Sequence, residues 1–241
     1  SSVVGRGYAL SGSLTHTLGA DPFIDSVVFG LHMDGTNGST TFTDVRGKTV
    51  TANGNAQLTT TSPKFGTSCA TFDGAGDYLT IADHDDFDFG SSDITIDFWF
   101  KSTQTTSNVG LVGRSWAGGY TGGWGFQLNG NNSGPLTLYW ADYSTGSVFM
   151  QGSGTGHRDG NWHHVAWTRS GNVHRLFLDG VQVATTTTSA NFGPSTQILA
   201  IGTDPYFGGR DFSGQIDDLR ITRACRWTSA FTPPTEAFPD P

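Results

Sequence analysis

Residues 161–184 read NWHHVAWTRSGNVHRLFLDGVQVA, three runs of β-type residues separated by two short turns of different chemistry. Asp179-Gly180 stands between Leu176-Phe177-Leu178 and Val181-Gln182-Val183. A two-residue hairpin turn of type I′ needs positive φ at both central residues, and Asp-Gly tolerates that. Ser170-Gly171-Asn172 supplies the other turn. This meander commits the chain to antiparallel, all-β architecture.

Composition agrees with it. Of the 21 acidic residues only Glu236 is a glutamate, so the acid of this chain is almost entirely Asp, a turn and cap former. With 34 glycines and much Thr and Ser, helix is disfavoured nearly everywhere. The formal net charge of −8 argues against nucleic acid, whose affinity comes mainly from neutralised phosphates, and against anionic membrane surfaces. No apolar run approaches the ~20 residues of a membrane-spanning helix.

Outward from the meander, residues 1–22 are small, polar and weakly periodic, and read as an N-terminal arm or linker that orders only against another chain. From Phe23 the alternation sharpens. Val27, Phe29, Leu31 and Met33 form the apolar face of a first strand, and further strands are predicted at 50–58, 68–72, 78–81, 94–101, 110–113, 125–129, 136–141, 147–151, 197–201 and 214–222. Residues 23–241 are thus expected to form one sandwich whose Pro-rich C-terminus is extended and anchored by Trp227, Phe231 and Phe238.

Several stretches in order, LHMDGTNGSTTFTD at 31–44, KFGTSCATFDGAGDYLTI at 64–81, DITIDFWF at 93–100, the meander, and FSGQIDDLRITRA at 212–224, resemble the laminin G-like (concanavalin A-like lectin/glucanase) domains. The resemblance implies a jelly-roll β-sandwich of two antiparallel sheets. HMDGTNGSTTFTD and RWTSAFTPPTEAFP are similar to domains of this type in bacteriophage virion proteins and some bacterial surface proteins. It therefore implies a place on a virion or extracellular surface, in several copies and as a homo-oligomer.

A catalytic role is disfavoured by the residues themselves. Retaining glycanases of this class need two carboxylates about 5 to 5.5 Å apart, supplied by paired glutamates on one strand, and this chain has none. Asp217-Asp218 and His163-His164 are adjacent in strands, so each pair points to opposite faces. The segment DHDDFD at 83–88 lacks the Gly and Glu of a calcium-binding helix–loop–helix and reads as a solvated turn.

Four further expectations follow. Asp217 shares parity with Leu219 and Ile221 and is predicted to face the core, where a carboxylate must be paired, hydrogen-bonded or metal-bound. By resemblance a structural calcium joins the first and last strands through Asp34, Asp44 and Asp217 or Asp218; turn amides are the alternative. By the same resemblance, the strand of Cys69 neighbours the last strand, which ends near Cys225, and a disulfide between them is open. Trp99 is expected on the outer, covered face of its sheet.

For ligands, Trp116 and Tyr120 in RSWAGGYTGGWGF and Tyr206, Phe207 and Arg210 in TDPYFGGRDF place aromatic faces beside hydrogen-bonding groups in glycine-rich loops. Such pairing suits a sugar ring. The function expected is a non-catalytic adhesion module that binds glycans or a host surface. A decoration or assembly protein held to other virion or surface proteins by residues 1–22 is the alternative, and an unusual glycan hydrolase comes third.

Overall fold

The computed structural model describes residues 21–106, 108–114, 122–129, 136–142, 146–152, 156–205, 207 and 209–241. Residues 1–20 of the expected arm lie outside the described residues. The strands are β1 (Val27–Leu31), β2 (Val50–Asn53), β3 (Gln57–Thr59), β4 (Cys69–Asp73), β5 (Tyr78–Ile81), β6 (Ile94–Lys101), β7 (Val109–Arg114) and β8 (Trp124–Leu128). They continue with β9 (Leu136–Asp142), β10 (Gly146–Gln151), β11 (His163–Ser170), β12 (Val173–Leu178), β13 (Val181–Thr187), β14 (Leu199–Ile201) and β15 (Ser213–Thr222).

Two antiparallel sheets result. One runs β13-β12-β11-β6-β15-β4-β3, with β1 also on β15; the other runs β10-β9-β8-β7-β14-β5-β2. The meander is β11-β12-β13, and Asp179 and Gly180 carry φ of 49° and 76°, the positive pair that the turn requires. Trp124, Phe126 and Leu128 of β8 face Phe98 of β6 and Trp167 of β11 across one apolar core; Phe98 and Phe126 meet edge to face at 5.1 Å. Burying each such side chain contributes about 1.5–3 kcal/mol.

The predicted strand over 50–58 is two strands in different sheets. Gly54, at φ 64°, turns the chain between β2 and β3 because a Cβ there would collide with the carbonyl of Gly76 and the carboxylate of Asp77. The local alternation on either side is intact, so a period-2 reading alone could not see the change of sheet.

A second correction concerns β15. Its register against β6 shifts between Asp217 and Arg220, and Asp218 has φ 49°. This one-residue bulge reverses the parity. Asp217 therefore lies opposite Trp99 on the outer face rather than with Leu219 and Ile221 in the core, although it is fully buried as expected. Before the bulge the free edge of β15 pairs with β4, and after it with β1.

Outward-facing residues of this sheet form a buried polar layer. The Arg220 guanidinium donates twice to Asp97, at 2.9 and 3.0 Å, and His164 stands 3.4 Å from the same carboxylate. Arg220 also lies 3.6 Å from Asp21, which accepts two 2.9 Å bonds from Arg226. Burial opposes ionisation of Asp97, but Arg220 and the His164 hydrogen bond outweigh it and hold the carboxyl far below the ordinary range.

The C-terminal segment covers that layer. Trp227 stacks on Phe231 at 3.9 Å, and Phe231 meets His164 and Phe177 edge to face. Phe238 stacks on His32 at 4.1 Å and donates its N–H to Asp218. All three expected anchors pack, and Trp99 is covered at 6% exposure.

Cys69 and Cys225, whose pairing the sequence leaves open, stand as free thiols. Cys69 begins β4, which meets β15 at its Ser213–Ile216 end, whereas Cys225 follows the opposite end of β15. The strands are neighbours, but β4 reaches only as far as Ile216, and Cys225 lies beyond the stretch of β15 that pairs with β1. Burial pushes the Cys69 thiol up to about 12, so it is unreactive near neutrality.

Arg220→Met should cost about 3–5 kcal/mol in urea unfolding, because Asp97 is left buried without its partner. The double variant Arg220→Met/Asp97→Leu should recover part of that loss. His32 supplies a pH dependence. Its hydrogen bond to Asp218, aided by Asp240, outweighs burial and raises its pKa above 6.5. The stabilisation is complete below the unfolded value and is lost as pH rises through the folded one. The protection factor of the Phe238 amide should accordingly fall on raising the pH above that value, and the fall should be absent in His32→Gln.

Candidate functional site

The connection from β14 to β15 lies across the outer face of the other sheet. Three backbone bonds fix its ends: Gly202 N–H to Leu111 O at 2.7 Å, Gly110 N–H to Arg210 O at 3.0 Å, and Phe212 N–H to Gly202 O at 2.9 Å. The loop lies this close because the strand beneath it has no side chains in the way. A Cβ on Gly110 would overlap the backbone of Thr203 and Asp204, and one on Gly113 would meet Pro205 at 3.7 Å. Gly125, next to Gly113 across the β7–β8 ladder, leaves room for the Tyr139 ring.

Asp204 is the pivot. It is buried and accepts hydrogen bonds from the Gln127 side-chain amide of β8, from the Phe207 N–H at 3.2 Å and from the Tyr139 hydroxyl of β9. Burial, with the neighbouring Asp204 charge and hydrogen bond, pushes the Tyr139 hydroxyl well above its ordinary value and keeps it a neutral donor. Arg210 donates to Asp204 at 3.4 Å, and its guanidinium lies 3.7 Å over the centre of the Phe207 ring. Phe207 is 39% exposed and, with Val181 and Ile198, is among the most exposed large apolar side chains of the described residues. The loop thus presents an aromatic ring and a guanidinium on a carboxylate–amide–phenol base.

Of the ligand residues expected from sequence, Arg210 stands in this site, with Phe207 beside it. Trp116, Tyr120 and Tyr206 lie outside the described residues. Asp204, Gln127 and Tyr139 were missed. A signal did exist for Gln127, a polar residue on the solvent parity of a strand whose other face is Trp124, Phe126 and Leu128.

The four acids of the expected calcium site are placed otherwise. Asp34 accepts from Thr67 and Ser68, Asp44 from the Gly30 and Lys48 amides, and Asp218 from Phe238 while bonding His32. Asp217 takes three amide protons, from Lys64 at 2.8 Å, Phe65 at 3.1 Å and Asp218 at 2.9 Å. Burial raises its pKa to about 7, against the pull of those amides. Among the described residues no three His, Cys, Asp or Glu side chains converge to hold a metal. As placed, the donor set does not fit calcium; it fits amide hydrogen bonding.

His163 and His164 do face opposite ways. His163 bonds Asp179 at 2.7 Å and Asp159 at 3.1 Å, while His164 turns to Trp99. The 83–88 segment is more than a solvated turn. Asp83 and Asp88 bind the fully buried Arg114, which also reaches the carbonyls of Phe87, Ser195 and Gln197, so these acids hold the end of β7.

A family model described as the concanavalin A-like lectin/glucanases superfamily matches residues 73–229. The chain belongs to that superfamily. No curated protein matches it. Among solved structures, the binding domain of Paraclostridial Mosquitocidal Protein 1 is similar at TM-score 0.66 and 13% identity, covering 84% of this chain and 50% of that one. Domain 4 of AbnA, a GH43 extracellular arabinanase from Geobacillus stearothermophilus, in complex with arabinotriose, is similar at TM-score 0.61 and 17% identity over 83% of this chain and 93% of that one. The binding domain of Botulinum Neurotoxin DC in complex with SialylT gives TM-score 0.62 and 14% identity over 84% and 49%. This superfamily member spans about half the length of the toxin binding domains and nearly all of the arabinanase domain. At these identities the likeness is one of fold. No helix among the described residues is long and apolar enough to cross a membrane.

Chelation should leave the melting temperature of the chain unchanged, since the amide donors on Asp217, Asp34 and Asp44 are part of the polypeptide. A fall in melting temperature with chelator that is restored by calcium would reinstate the metal, because a ligand bound only to the native state stabilises it.

Proposed function

We propose that this domain is a non-catalytic glycan-binding module whose contact surface is the β14–β15 loop over the outer face of β7, β8 and β9. The observation that carries the reading is Phe207 held half-exposed under the Arg210 guanidinium, with Asp204 fixing Arg210 from below. Sugar recognition needs a flat apolar face with hydrogen-bonding groups at its rim, and this loop supplies both. Supporting it, solved structures of similar fold include a domain in complex with arabinotriose and binding domains of toxins.

A hydrolytic reading finds less support. Asp204 is committed to Gln127, Tyr139, Phe207 and Arg210, and the sequence offers no paired glutamates. The setting in the proposal is extracellular, on a virion or comparable surface, in several copies with the part of the arm before Asp21, which itself is held by Arg226 of the same chain, as the attachment to neighbouring proteins. The wording of 32–44 and 226–239 supports that setting. Single-module affinity is weak in this reading, and display in several copies raises avidity by about 10²–10⁴.

A glycan array probed with the chain, multimerised and monomeric, tests the proposal. Phe207→Ala should weaken any bound glycan about tenfold, as expected for losing a stacking contact. Its melting temperature should move by only about 1–2 °C, since the side chain is a surface one. If Phe207→Ala leaves every array signal intact, the site lies elsewhere.

A further inference from the structure

Resting on that glycan-binding reading, we infer that the Phe207–Arg210 surface selects neutral sugars and rejects anionic ones such as sialylated or uronate-bearing glycans. An exposed arginine beside an aromatic ring would ordinarily suggest a carboxylate-bearing ligand. Here the charge is already answered. Arg210 lies 3.4 Å from Asp204, whose side chain is fully buried and therefore cannot swing away to make room for a ligand's carboxylate. Weakly solvated charges interact more strongly than exposed ones, so the Asp204 charge is felt at the surface above it.

A second carboxylate adds to the first. Asp211 closes the same loop, accepting from Thr203 Oγ1 at 2.7 Å and from the Gly76 N–H at 2.9 Å, so it too is fixed in place. Across residues 202–212 two carboxylates stand against one guanidinium, and the loop carries a formal charge of −1. The connections between β7 and β10 encode no further cation. The segments 115–123, 129–135 and 143–145, which join β7 to β8, β8 to β9 and β9 to β10, contain neither Lys nor Arg. Of the described arginines beside β8, Arg114 is fully buried on Asp83 and Asp88, and Arg158 is buried and donates to the carbonyls of Gln104, Thr106 and Asn129.

What Arg210 retains is donor capacity. Of its five N–H groups one is directed to Asp204, and the side chain is 27% exposed. Donors without net positive potential suit hydroxyl oxygens, and the paired aromatic ring suits the apolar face of a sugar. An anionic glycan would meet the uncompensated loop carboxylate and the −8 of the whole chain.

The test uses matched glycan pairs, each a neutral oligosaccharide and its sialylated or uronate-bearing counterpart, titrated into the wild-type chain and Phe207→Ala at low and high salt. The inference expects Phe207-dependent binding of neutral members, at least about tenfold weaker binding of their anionic counterparts, and neutral affinity that changes less than about twofold between 20 mM and 500 mM salt, because no ion pair is there to screen. Asp211→Asn should narrow the gap within each pair. Preference for the anionic members, still dependent on Phe207 and falling with salt, would overturn the neutral-sugar inference while leaving the glycan site standing. Absence of any Phe207-dependent binding would overturn the glycan reading and this inference with it.

Discussion

The Asp97–Arg220 pair is the constraint on which the outer half of the molecule is arranged. It joins the two central strands of the larger sheet, β6 and β15, on the face turned away from the core, and neither charge could remain there alone. A buried ion pair is weak evidence for stability, since well-packed apolar residues often do as well. Its consequence here is geometric. The Asp217–Asp218 bulge resets the parity of β15 so that Arg220 faces outward opposite Asp97, and the same bulge releases the strand edge from β4 to β1. Asp21 and Arg226 extend the pair into a four-residue chain of charges that the C-terminal aromatic residues then shield from water.

Closing that face with the chain's own tail leaves the two sheets with different roles. The larger sheet is covered by Trp227, Phe231 and Phe238 and offers little polar surface for a partner between them. The smaller sheet keeps an outer face of small residues, Gly110, Gly113, Gly125 and Ala200, whose side chains cannot form a cover of their own. The β14–β15 loop lies in that space, tethered by Asp204 to Gln127 and Tyr139. A loop carried on a rigid strand layer through a buried acceptor is how a surface residue such as Phe207 can be held ready for a ligand without loss of order on binding.

Much of this was legible in the chain. The meander, the type I′ turn at Asp179-Gly180, the inward face of β8, the covered Trp99, the opposed histidines and the three tail anchors all follow from alternation and turn chemistry, which are local. What failed was whatever depends on a single residue out of step. The bulge at Asp218 inverted the side of Asp217, and the turn at Gly54 divided one apparent strand between two sheets. The bulge leaves no local signature, because the alternation before and after it is regular; Asn53-Gly54 is a turn signal of the same kind as Asp179-Gly180, and the alternation on either side of it outweighed it in the reading.

The proposed contact surface was half legible for the same reason. Aromatic and arginine residues in a glycine-rich loop announce themselves, so Arg210 and Phe207 stood among the candidates. Asp204 did not, because an Asp-Pro step in a loop reads as a turn former, and only the packing of the loop onto β7 reveals that its carboxylate is buried. Yet Asp204 determines what the visible residues can do. With it beneath, the Arg210 charge is compensated while most of its hydrogen-bond donors remain, and it is on this that the proposal of hydroxyl rather than carboxylate recognition rests. The residue that sets the character of this surface is therefore one that the surface does not expose.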